Sequence, residues 1–178
     1  ANAATIGADT GASLTLSGGL AGAVALTLAG AGTINLTGGT LNAALPSGII
    51  KIGTGVLNVQ SASTGYTGTA TLNAGTTTFS GVGGFGGTGL VTVQPGAVLS
   101  LDNSANNLVN RLGTRALTIG GNLNYLGSAS ATSSETLGAL TPLAGNSVFT
   151  LTAGAGQQAN VSVASLGTVP AGASYLFR

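Results

Sequence analysis

Few residues in this sequence could carry acid–base, nucleophilic or metal chemistry. Charge resides at Asp9, Lys51, Asp102, Arg111, Arg115, Glu135 and Arg178, and the chain contains neither His nor Cys. General acid–base and glycosidic chemistry gather carboxyl groups or imidazoles around one bond. Here the three carboxylates are separated by 93 and 33 positions, and no nucleophile stands beside a base, so the reading is that the chain is not an enzyme. The chemically richest stretch is Asp102–Arg115, DNSANNLVNRLGTR. Its Asp and Asn oxygens suit Ca²⁺, but it supplies one carboxylate, and an Asx turn or strand cap is the expected role. Arg111 and Arg115 are expected to pair locally with Asp102 or Glu135, a weak contribution when exposed. The motif GVGGFGG (81–87) lacks the Lys and helix of a phosphate loop and reads as a turn. A net charge of +1 gives no footprint for nucleic acid. No cofactor, metal or small-molecule ligand is expected.

The elements that must position these residues are strands. The stretch 53–81, GTGVLNVQSASTGYTGTATLNAGTTTFSG, alternates large apolar with small polar residues and is broken by Gly every few positions, the pattern of half-buried strands. The same cadence covers nearly the whole chain. Strands are read at Ser13–Ser17, Val24–Leu28, Thr33–Thr37, Ile49–Ile52 (with Lys51 opposite Ile50 and Ile52), Val56–Val59, Thr69–Leu72, Thr76–Phe79, Leu90–Val93, Ala97–Leu101, Ala116–Ile119, Leu123–Leu126, Thr136–Leu140, Val148–Thr152, Val161–Ala164 and Ala173–Phe177. Residues 1–12 are nearly featureless, 41–46 reads as a turn, and 102–115 reads as an ordered polar loop inserted in a single domain, with a short helical turn at Asn106–Leu112. Phe79 to Leu101 is 22 positions and Leu57 to Phe79 is also 22, a repeat size typical of solenoids. The expected fold is all-β, a parallel β-helix of about eight short coils. At the strand spacing of about 4.8 Å the rod is roughly 40 Å long. Tyr66, Phe79, Phe85, Tyr125, Phe149, Tyr175 and Phe177 are too dispersed to form a carbohydrate platform and should plug the core or cap turns.

Only 4% of residues are charged, whereas 43% are hydrophobic and the mean hydropathy is +0.50. Disordered chains have the opposite composition. A spanning helix is excluded by the Gly, Thr and Ser interruptions, and a membrane barrel by seven scattered aromatics. A neutral surface of Thr, Ser, Asn, Gly and Ala tolerates close packing against copies of itself. The start at Ala1 reads as a processed product or a piece of a longer chain. With no His and three carboxylates, stability is expected to change little around neutrality.

The pattern G-x-G-x-L-x-V…Y-T-G…T-L-x-A-G-T-x-x-F is carried by Gly53, Gly55, Leu57, Val59, Tyr66, Thr67, Gly68, Thr71, Leu72, Ala74, Gly75, Thr76 and Phe79. It resembles the autotransporter-associated β-strand repeat of bacterial secreted and surface proteins. The segments 96–113, 117–140 and 173–178 resemble the region that follows such repeats, so the likeness covers roughly residues 50–178. At Ser63-Thr64-Gly65 the chain departs from the usual Asn-Thr. The resemblance implies a right-handed parallel β-helix displayed outside a bacterial cell, without membrane insertion by this segment, and it implies no catalytic residues.

Two functions follow. In the first, the rod is an extracellular structural subunit. A solenoid has two open ends, and neither terminus reads as a polar cap, so the ends meet another copy head to tail or the chain continues beyond residue 178; head-to-tail contact through Ile6, Tyr175, Leu176 and Phe177 gives open filaments. In the second, it is an adhesin or ice-binding surface module, a passenger segment of a larger secreted protein. The interaction loop is then Asp102, Asn103, Asn106, Asn107, Asn110, Arg111 and Arg115, and the Thr-x-Thr units at 69–71, 76–78 and 150–152 are irregularly spaced candidates for a lattice. Asn160-Val161-Ser162 fits an N-glycosylation acceptor.

Overall fold

The computed structural model describes residues 4–20, 22, 24–39 and 48–178; the turn read at 41–46 lies outside them. Strands are numbered in chain order. The first sheet runs β1 (Ala4–Gly7), β3 (Leu26–Ala29), β5 (Ile49–Lys51), β8 (Ala70–Leu72), β11 (Val91–Val93), β13 (Leu117–Ile119), β15 (Ser133–Pro142) and β17 (Ala159–Leu166). The second runs β2 (Ser13–Leu16), β4 (Thr33–Leu36), β6 (Val56–Val59), β9 (Gly75–Phe79), β12 (Ala97–Asp102), β14 (Asn122–Leu126), β16 (Gly145–Thr152) and β18 (Ala173–Phe177). Each coil contributes one strand to each sheet and pairs in parallel with the coils before and after it. Eight strands per sheet make about seven full turns of a parallel β-solenoid. Among the described residues there is no helix, so the helical turn expected at Asn106–Leu112 is replaced by bends and turns.

The pleat explains the sequence pattern. Alternate residues of a strand point to opposite faces, and the inward ones stack into columns. Leu14, Ile34, Leu57, Thr77, Leu99, Leu123, Phe149 and Phe177 form one column. Phe79 does face Leu101, 22 positions on, but Leu57 faces Thr77, because the coil from β6 to β9 is 20 residues long. Lys51 lies opposite Ile50 and Ile52 as expected, yet the lysine is the inward residue. It follows Ile49 on the same face and pairs with Leu28 and Leu72.

Between the second sheet of one coil and the first of the next runs a third wall. It contains the two-residue strands β7 (Ala62–Ser63) and β10 (Gly84–Phe85), which pair in parallel. The wall continues through the 102–115 stretch: the Phe85 amide donates to Arg111 O at 2.6 Å, and the Asn110 amide donates to Ser134 O at 3.1 Å. The stretch read as an inserted loop is therefore the third wall of its coil. In the last two coils this wall fuses with the first sheet, so that β15 and β17 pair from Ser133–Ala159 through to Leu140–Leu166.

Sharp corners join the sheets. Gly53 has φ +79°, and a Cβ there would lie 2.4 Å from Gly30 O in the coil below. Only a residue lacking Cβ takes both that backbone conformation and that approach.

Candidate functional site

Four of the seven charged side chains are inside the solenoid: Lys51, Arg111, Arg115 and Glu135 are each at most 1% exposed. They are held mainly by backbone groups, which a coil interior supplies in quantity at its corners.

Arg115 sits between the rings of Tyr66 and Phe85, its guanidinium carbon 5.1 and 5.3 Å from their centroids. Its nitrogens donate to Gly68 O (2.8 Å), Gly89 O (2.9 Å) and Gly86 O (2.6 Å), and to Tyr66 O. One side chain thus ties its own coil to segments 47 and 26 residues earlier. The Tyr66 hydroxyl donates to Thr69 O at 2.6 Å, and burial pushes its pKa up to about 12. Phe79 packs edge-on against Phe85, with centroids 4.6 Å apart.

Arg111, four residues earlier, likewise ties its wall to the coil before it. It donates to Asn103 Oδ1 (2.5 Å), Gly83 O (2.7 Å), Gly81 O (3.0 Å) and Asn106 O (2.6 Å). The ion pairs expected of the two arginines are thus not how they are satisfied: their guanidinium hydrogen bonds go to carbonyl oxygens and an amide. Glu135 instead takes the backbone, Oε2 accepting from the Arg111 amide (2.8 Å) and Oε1 from the Leu112 amide (2.9 Å). Burial raises its pKa to about 7 against the lowering effect of those two N–H groups and of the Arg111 charge. Lys51 Nζ donates to Gly53 O (2.8 Å), Ile52 O (3.1 Å) and Ala74 O (3.4 Å), and burial lowers its pKa.

The seven residues read as an interaction loop divide. Asn103, Arg111 and Arg115 are buried with their polar ends spent inside, so they are not available to a partner. Asn106 and Asn110 are exposed, and Asp102 and Asn107 half-buried. Asp102 Oδ1 accepts from the Ser104 amide at 2.8 Å, the expected Asx turn. Asn110 has φ +55°, and its Oδ1 accepts from the Thr136 amide at 2.8 Å. Asn107 exchanges bonds with Thr132 O and Ser133 Oγ. Beside this wall lies a hollow of about 260 Å³ lined chiefly by Ala62, Val82, Phe85, Leu108, Val109 and Asn110.

The residues read as end-stacking also divide. Ile6 faces inward on the first coil, above Leu28. Phe177 continues the inward column above Phe149 yet is 58% exposed, and Tyr175 packs edge-on to Phe149 with centroids 5.4 Å apart. Leu176 pairs with Val148 on the outer face, because it alternates with those two, so it belongs to the side of the rod.

Sequence reading missed a threonine file. Thr5, Thr27, Ile50, Thr71, Thr92, Thr118 and Thr141 are successive partners on the outside of the first sheet. The signal was a single Thr flanked by apolar residues in β1, β3, β8, β11 and β13, with Ile50 in its place in β5. On the second sheet the outer polar residues bond to one another instead, Asn58 to Asn35 (2.8 Å) and Asn35 to Ser13 (3.1 Å).

No family model, curated protein or solved structure matches this chain.

Proposed function

We propose that the chain is an extracellular structural β-solenoid, displayed at a bacterial cell surface, that stacks end to end into a fibre, sheath or surface layer. The carrying observation is the state of the terminal coil. β17 and β18 each have a neighbour on one side only, and the inward column between them ends in Phe177, more than half exposed beside Tyr175. An apolar column with open strand edges is completed by another coil. Such a coil comes from a second copy or from chain beyond Arg178; in the end-to-end reading it is a second copy, meeting this end with Ile6 and Leu14 of its first coil, a heterologous contact that propagates. The resemblance of residues 50–178 to autotransporter-associated repeats supports the exported setting. Electron microscopy of concentrated protein should show filaments whose formation is abolished by Phe177→Asp. Monodisperse rods of the parent at high concentration would count against the reading.

The threonine file favours a second reading, a surface-binding module for ice or another regular, uncharged surface, since its members repeat at strand spacing, about 4.8 Å. Thermal hysteresis in dilute solution that disappears in Thr92→Lys would support it; its absence would leave the structural role.

A further inference from the structure

The outer face of the first sheet carries no charge. Lys51, Arg111, Arg115 and Glu135 are inside the coils. Asp102 is on β12 of the second sheet, Arg178 follows β18, and Asp9 is in the corner between β1 and β2. The face is centred on the threonine file, one residue per coil from Thr5 to Thr141, with Ile50 as the third member. Ile52, two residues after Ile50, and Leu90, two before Thr92, point the same way and are 38% and 39% exposed. Among the described residues the hydroxyls of this file do not bond to one another, unlike Asn58, Asn35 and Ser13 on the second sheet. They remain for a group outside the chain.

We propose that this face is the lateral contact of the end-to-end filament, on whose reading it rests, and that it packs on the same face of a second copy. A copy presents the same file at the same strand spacing, about 4.8 Å, so the two faces match in period along their whole length and pack as facing sheets do. Neither face carries charge, so like approaches like without repulsion. The area sets the order of events. Seven strands at about 4.8 Å, by a strand width of about 12 Å, give on the order of 400 Å². Stable association buries roughly 800 Å² per partner. One rod is too small to pair, whereas two rods joined end to end reach the threshold. Lateral pairing therefore follows stacking, and free rods stay single. The same patch serves both sides, so the contact closes at two and yields paired filaments.

Electron microscopy of Thr71 variants tests this. Thr71 is the fourth of the seven file members, so it faces its own counterpart whichever way the second filament runs. Filaments of Thr71→Lys and of Thr71→Glu, grown separately, should each lose lateral pairing and keep their length; mixing the two should restore it. Parent filaments that lie singly, pairs that persist in both variants, or a mixture that stays single overturn the proposal and leave the end-to-end reading standing. Parent rods that form no filament overturn both. Thermal hysteresis of the parent without pairing assigns the face to a regular solid surface and overturns the proposal. Should neither charged variant fold, the parent and Phe177→Asp decide: paired filaments are expected in the first and monomers in the second, and single filaments or F177D dimers overturn it.

Discussion

Thr77 occupies a core position its chemistry does not suit. Its side chain is 1% exposed, it stacks between Leu57 and Leu99, and its Oγ1 has no hydrogen-bond partner. A buried hydroxyl without a partner retains its desolvation cost, and valine has the same branched shape without that cost. Thr77→Val is therefore expected to raise unfolding stability by about 1 kcal/mol, measured by denaturant titration; a loss of that size would mean the hydroxyl is satisfied in solution. The same residue shows what was hidden in the sequence. In Thr76-Thr77-Thr78 nothing distinguishes the inward from the outward residue, and only Phe79, two positions on, fixes the parity. Lys51 was hidden for the opposite reason. A lysine suggests water, but the corner below β5 offers three carbonyls within 3.4 Å of its ammonium group, and that information lies in the turn geometry and in Ala74 of the next coil.

At the scale of elements, the strands with strong alternation were legible: Val56–Val59 and Ala173–Phe177 are strands with the bounds read from the residues. The weak ones were not. β1 is built from Ala-Thr-Ile-Gly and is held by pairing with β3. β7 and β10, two residues each, exist only because adjacent coils align them. The Asp102–Arg115 wall read as a loop because its order comes from side-chain bonds to residues more than 20 positions away, which no local period reports. Corner glycines separate two costs that sequence alone merges. Gly96 has φ +86° with open space where a methyl group would stand, whereas Gly53 has φ +79° and backbone 2.4 Å from that position. Gly96→Ala should cost about 1 kcal/mol, the penalty of the left-handed conformation alone, and Gly53→Ala about 2 kcal/mol or more. Equal losses in thermal or chemical unfolding would show that the coil below yields to the added methyl.

For the whole molecule, placing charge inside has a consequence at the surface. The four basic residues are Lys51, Arg111, Arg115 and Arg178, and the first three are 1%, 0% and 0% exposed. A protease specific for basic residues must reach a cleavable bond in extended form, and in a solenoid each such bond lies in a wall hydrogen-bonded to neighbouring coils. An exposed polar loop at 102–115 would be nicked quickly after its two arginines; a wall whose arginines are spent on glycine carbonyls is not. Cleavage should then follow the population of opened molecules. The folded protein is expected to resist trypsin, and fragments should appear as denaturant removes the β signal in circular dichroism. Rapid cutting after Lys51 or Arg115 while the β signal is intact would mean that the coils open singly and that the buried charges do not bind them into one cooperative rod.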